Sequence, residues 1–171
     1  FVSWDLFPTL AVPAATGRHF SREEGEPVGP PVAILSGGYW LRRFGGSPDV
    51  IGSTILIDGA AQTIVGVMPP DFRFLHDADL WVPMRRGGPK ANTRGWHNWL
   101  MVGRLLHGVT LETAQADADV MSAQLAIEYP GTNRHKTLEL TELHTAVAED
   151  YQTAVILLMT AVGLVLLIVC G

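Results

Sequence analysis

Apolar residues are spaced in three different ways along this chain, and each spacing predicts a different element. Up to residue 106 they come in short runs cut by Gly, Pro and Asp. Val32–Leu35 is a four-residue apolar run, the length of a buried strand. Ser36 can cap a helix carrying Tyr39, Trp40, Leu41 and Phe44, which Gly45-Gly46 ends with Pro48 just beyond. Residues 53–57 and 62–67 read as two strands around Asp58-Gly59, a hairpin signal, closed by Pro69-Pro70. Residues 80–82 add a short strand stopped by Pro83. Nearer the start, Phe1-Val2 reads as a strand tail and residues 4–10 as a short helix limited by Pro8. Residues 12–20 read as irregular, and the polar stretch 21–27 as a loop.

From Leu111 to Tyr129 the spacing changes to alternating steps of three and four. Leu111, Ala114, Ala118, Met121, Leu125 and Tyr129 would form one buried stripe on a helix capped by Thr110 and ended by Pro130-Gly131. Residues 98–106 before it and 137–143 after it read as strands. Together they predict a βαβ unit with parallel strands and a right-handed crossover. Between 83 and 98, RRGGPKANTRG has the composition of a basic linker, so residues 32–83 are expected to form a subdomain with its own core.

The third spacing is no spacing at all. Residues 153–171 hold no charged side chain, and their apolar positions cover every side of a helix. About 18 such residues suffice to cross a bilayer, so a transmembrane helix is expected there. A buried central helix of a soluble protein is the other reading, but about 150 residues are few to wrap one. Phe1 is not an initiator Met and no signal segment precedes the folded part, so the chain reads as a piece of a longer one.

Composition adds exclusions. The net charge of −5 argues against a general affinity for nucleic acid. The one cysteine, Cys170, lies in the apolar run, leaving the folded part with no disulfide and no cysteine metal site. Candidate chemistry is sparse. His76, Asp77 and Asp79 lie together without the i,i+4 histidine pair of a helical metal site. Trp96-His97-Asn98-Trp99 offers rings for stacking a ligand, or for packing on a core. Arg85, Arg86, Lys90 and Arg94 could meet lipid headgroups or simply be solvated. Asp117 and Asp119 read as a solvated helix face. No GxSxG, HExxH or P-loop sequence occurs, and Lys90 and Lys136 follow Pro and His. Catalytic, cofactor and metal residues are therefore expected to be absent.

The ordered pattern VAILSGGYWLRRFGGSPDVIGSTILIDGAAQTIVGVMPPDFRF followed by DADLWVPM resembles the MacB-like periplasmic core domain of ABC-transporter permeases, in the branch without a fused ATPase. VSWDLFPTL, GRHF and GRLLHGVTLETAQAD also fit, and LLMTAVGLVLLIVCG is similar to the helix that opens an FtsX-like membrane part. Ala11 departs from that pattern, which usually has glycine closing the short helix.

The resemblance implies an α+β fold: a porter-like βαβ (ferredoxin-like) subdomain with a small mixed α/β insert at about 32–83, then a transmembrane helix. Residues 1–150 would be the extracytoplasmic domain on the bacterial inner membrane, and 151–171 the start of the permease helix. The implied role is coupling ATP-driven helix motion to export, without catalysis in this domain. The implied partners are membrane lipid through the C-terminal helix, a separate ABC ATPase subunit and a second permease copy. A single-anchor ligand- or partner-binding module is the alternative, and a membrane-anchored enzyme would need a cleft of convergent titratable groups.

Overall fold

Residues 1–74, 77–85, 87 and 100–146 are described by a computed structural model of the chain. They divide into two compact units, one of residues 1–104 and one beginning at Leu105.

The first unit opens with a single helical turn, α1 (Leu6–Leu10), which Ala11 closes in the left-handed conformation at φ 56° and ψ 34°. Its N–H reaches the Pro8 carbonyl at 3.0 Å. A two-residue strand follows, β1 (Thr16–Gly17). Next comes β2 (Val32–Leu35), buried at all four positions, as expected of a strand covered on both faces. Ser36 leaves it and caps α2 (Gly37–Phe44), its Oγ accepting the Tyr39 N–H at 3.1 Å. Gly45, also left-handed, ends α2.

The hairpin then forms as β3 (Thr54–Ile57) and β4 (Ala60–Val67), with Asp58 and Gly59 both at positive φ. That is the two-residue turn whose twist matches the strands, and it is why glycine sits second. β5 (Leu80–Trp81) completes the sheet.

The order is β1-β4-β2-β5, with β3 also on β4. Thr63 pairs with Thr54 and Val32, and Val67 with Thr16 and Leu35. β1 and β3 therefore share one edge of β4 and β2 takes the other. β2 and β4 are parallel while the remaining pairs are antiparallel, so the sheet is mixed. Beyond β5, Val2 bridges Pro83, with its N–H on the Val82 carbonyl at 3.1 Å and its own carbonyl accepting from Met84 at 2.7 Å.

Each face of the sheet carries a cluster. On one, Phe7, Phe20, Val32, Ile34, Val65, Met68 and Trp81 pack together. On the other, Leu35, Val50, Ile64 and Val67 are covered by Tyr39, Trp40 and Phe44 of α2. Phe7 is fully buried and is the hub of the first cluster, with ring contacts to Phe20, Phe72 and Trp81 between 5.5 and 6.1 Å. Residues before Pro30-Pro31 and after it share this core.

The second unit is built on α3 (Leu111–Glu128), capped by the Thr110 Oγ1, which accepts the Thr113 N–H at 3.2 Å, and followed by the turn α4 (Pro130–Asn133). Three expectations change here. Residues 100–106 form no strand. Residues 137–142 form none either, so the expected βαβ unit with its parallel strands is not present among the described residues. Met121, placed on the buried stripe, is 54% exposed.

The second change is explained by a pair of polar side chains on the inner face of α3. Ser122, buried, accepts the Leu138 N–H at 3.0 Å and donates to the Ala118 carbonyl at 2.8 Å. Gln115 donates to the Leu138 carbonyl and accepts the Leu140 N–H, both at 2.8 Å. The returning segment thus finds its hydrogen bonds on helix side chains and needs no neighbouring strand. Among the described residues no helix is long and apolar enough to cross a membrane, and the span expected at 153–171 lies outside them.

Candidate functional site

A cleft of the first unit lies where β2 hands over to α2. The turn after β4 passes directly over it, and that closeness needs a residue without a side chain. A Cβ on Gly37 would lie 2.5 Å from the backbone of Pro70. The Met68 N–H bonds the Leu35 carbonyl at 2.8 Å, and the Ser36 N–H bonds the Asp79 carbonyl at 2.9 Å, tying Met68 and Asp79 to the start of the helix. A cleft of about 350 Å³ results, with Phe72 and Trp81 at its base and Arg42, Arg73, Asp77 and Asp79 around it.

Its charges are matched in pairs. The Arg42 Nη2 lies 2.5 Å from Asp79 Oδ1, and the Arg73 Nη1 lies 2.5 Å from Asp77 Oδ1. All four side chains are more than half exposed, so each pair adds at most about 1 kcal/mol. Asp77 and Asp79, which the sequence grouped with His76 as a metal possibility, are therefore both engaged by guanidinium groups. Among the described residues no group of His, Cys, Asp and Glu is arranged to hold a metal. Ser36, whose hydroxyl lines the cleft, is engaged as the cap of α2. The arrangement can hold a small polar ligand by hydrogen bonds, and among the described residues it brings no nucleophile together with an activating group.

The other charged constellation was missed. Glu24 is 2% exposed, yet its carboxylate is fully partnered. Arg18 grips it from two nitrogens at 2.7 and 3.0 Å, and the Ser21 N–H donates at 2.7 Å. Burial alone would push the carboxyl up, but the Arg18 hydrogen bonds, the Ser21 N–H and the nearby positive charge together hold it below the ordinary glutamate range. A signal for this existed in the sequence. Ser21 followed three residues later by Glu24 is the capping-box pattern, and the structure forms that box around a 3₁₀ turn (Arg22–Gly25). It is an anchor for the loop and not a reactive group.

Asp117 and Asp119 lie on the exposed side of α3, where Asp119 accepts from Gln115 at 2.8 Å. Arg85 is exposed. His76, Arg86, Lys90, Arg94 and residues 96–99 lie outside the described residues.

Comparison with known proteins supplies what the cleft does not. No curated protein matches the sequence. The crystal structure of the periplasmic region of MacB from Actinobacillus actinomycetemcomitans is similar at a TM-score of 0.49 and 12% identity. That alignment covers 77% of this chain and 56% of the other, so the chain spans a little over half of the MacB region. The family model of the MacB-like periplasmic core domain matches residues 1–120, well over half of the sequence. The chain belongs to the MacB-like periplasmic core domain family.

Proposed function

We propose that residues 1–150 are the extracytoplasmic domain of an ABC-transporter permease of the bacterial inner membrane, with an insert at about 32–83 and the first turns of a permease helix at 151–171. The observation that carries this reading is the family match over residues 1–120, upstream of an uncharged apolar run long enough to span a bilayer. In this reading the domain performs no chemistry. It transmits motion between membrane helices and an exported substrate, while a separate ATPase subunit hydrolyses ATP and a second permease copy completes the transporter. The matched ion pairs of the cleft and the cap role of Ser36 are consistent with a non-catalytic domain.

Topology and coupling are separately testable. A single cysteine at exposed Asp58, in a Cys170→Ala background, should react with a membrane-impermeant maleimide in intact spheroplasts. Labelling only after lysis would place the domain in the cytoplasm and refute the proposal. A separate ABC ATPase subunit should co-purify with the chain in detergent and hydrolyse ATP at a different rate when the domain is deleted. A labelled chain that stays in the membrane but recruits no ATPase would support the single-anchor binding module instead.

A further inference from the structure

Helix α3 has a second apolar side. Ala116, Val120, Ala123 and Ile127 follow steps of four, three and four, which puts them on one line down the helix for about 16 Å. This line lies roughly opposite the face that holds Gln115, Ala118 and Ser122. All four residues are exposed, Val120 at 60% and Ile127 at 83%. The step pattern is that of a seam between packed helices, with β-branched residues alternating with alanines small enough to let a second backbone come close.

The borders of this seam carry one sign of charge. Glu112 and Asp119 run down one side, and Asp117 and Glu128 down the other, while α3 contains no Lys, Arg or His. Four carboxylates around an apolar strip oppose an anionic lipid surface or a nucleic acid. They equally oppose self-pairing, because a second copy would set like charges against one another.

We propose that the Ala116–Val120–Ala123–Ile127 face of α3 docks an amphipathic helix of a partner protein, whose own seam of small and β-branched residues is bordered by lysines or arginines. The apolar strip supplies the contact area, and the acidic borders select the partner and fix its register. This inference stands apart from the transport reading, since it requires only that α3 present this face to solvent.

The test uses the full chain in nanodiscs of neutral phosphatidylcholine, so that the membrane itself does not attract basic probes. Two synthetic 18-residue helical peptides share one Ala/Val/Ala/Ile seam, and they differ only in having lysines or glutamates along its borders. Fluorescence anisotropy should show the lysine peptide binding at least tenfold more tightly. That advantage should shrink several-fold between 0.05 and 0.5 M salt. Val120→Gln with Ile127→Gln should weaken binding at least tenfold with helix content unchanged by circular dichroism. Glu112→Lys with Asp117→Lys, at exposed positions on either border of the seam, should shift preference toward the glutamate peptide, and this arm decides the matter if the Gln variants lose helix. Equal binding of both peptides, binding indifferent to the charge reversal, or concentration-dependent self-association abolished by Ile127→Gln would each overturn the proposal.

Discussion

The two units satisfy the same requirement, pairing of backbone polar groups, by different means, and the difference decides how much core each one needs. In the described part of residues 1–104 the backbone is paired in a mixed sheet, with β2 and the second half of β4 buried between two apolar clusters. In residues 105–146 the segment after α3 bonds to Ser122 and Gln115, and Ala118 is the buried hydrophobic residue of the helix. The first unit rests on non-local apolar packing. The described part of the second rests chiefly on α3 and a few polar links to its side chains, and it leaves Val120, Met121 and Ile127 in solvent.

The largest expected effect is therefore at the hub of the first core. Phe7→Ala should cost about 3–5 kcal/mol, because Phe7 is fully buried among Phe20, Phe72 and Trp81. Chemical denaturation followed by tryptophan fluorescence would report it. A cost under about 1 kcal/mol would mean that the first unit does not depend on this cluster.

Next comes the buried Glu24, paired with the half-exposed Arg18. Glu24→Gln should cost about 2–3 kcal/mol at neutral pH, since it removes a charged partner from Arg18 and weakens the Ser21 contact. The sign of the pH dependence follows from the depressed carboxyl. Its contribution is complete above the unfolded value near 4.5 and is lost as pH falls through the lower folded value. Denaturation midpoints of the parent should thus drop in acid more steeply than those of the Glu24→Gln variant, and parallel curves would remove Glu24 as the cause.

Smaller effects are expected in the second unit. Ser122→Ala and Gln115→Ala should each cost about 1–2 kcal/mol; the first should raise amide exchange at Leu138, whose N–H donates to Ser122, and the second at Leu140, whose N–H donates to Gln115. Unchanged exchange at those amides would show that the returning segment is held by something else. The smallest change is a gain. Ala11 holds a left-handed conformation that costs a non-glycine residue about 1–2 kcal/mol, so Ala11→Gly should stabilise the first unit by roughly 0.5–1 kcal/mol after the added freedom of the unfolded chain is counted.

Much of the first unit was legible because its signals are local. Ser36, Gly45 and Asp58-Gly59 each mark their own element, and β2, α2 and the hairpin form where those residues predict. What was hidden is non-local. The parallel pairing of β2 with β4 joins strands more than 25 residues apart, and nothing in either strand names the other. Phe7 reads as one apolar residue in a helical turn, and its central place depends on Phe20, Phe72 and Trp81 arriving from three other segments. The cleft was equally hidden, because Arg42 meets Asp79 across 37 positions.

The second unit misled for a physical reason. Residues 137–143 alternate Leu with polar residues as a half-buried strand does, but alternation specifies a face and not a partner. Gln115 and Ser122 break the apolar pattern of α3 at its inner face, and they supply the hydrogen bonds that a strand would otherwise seek.

Native-state amide exchange on the full chain in nanodiscs, comparing the parent with Phe7→Ala, tests the contrast between the units most directly. The expected result is a loss of protection confined to the first unit, large at Val32–Leu35 and Ala60–Val67, with the amides of Leu111–Glu128 within a few-fold of the parent. An equal loss of protection across both sets of amides, in one cooperative step, would contradict it.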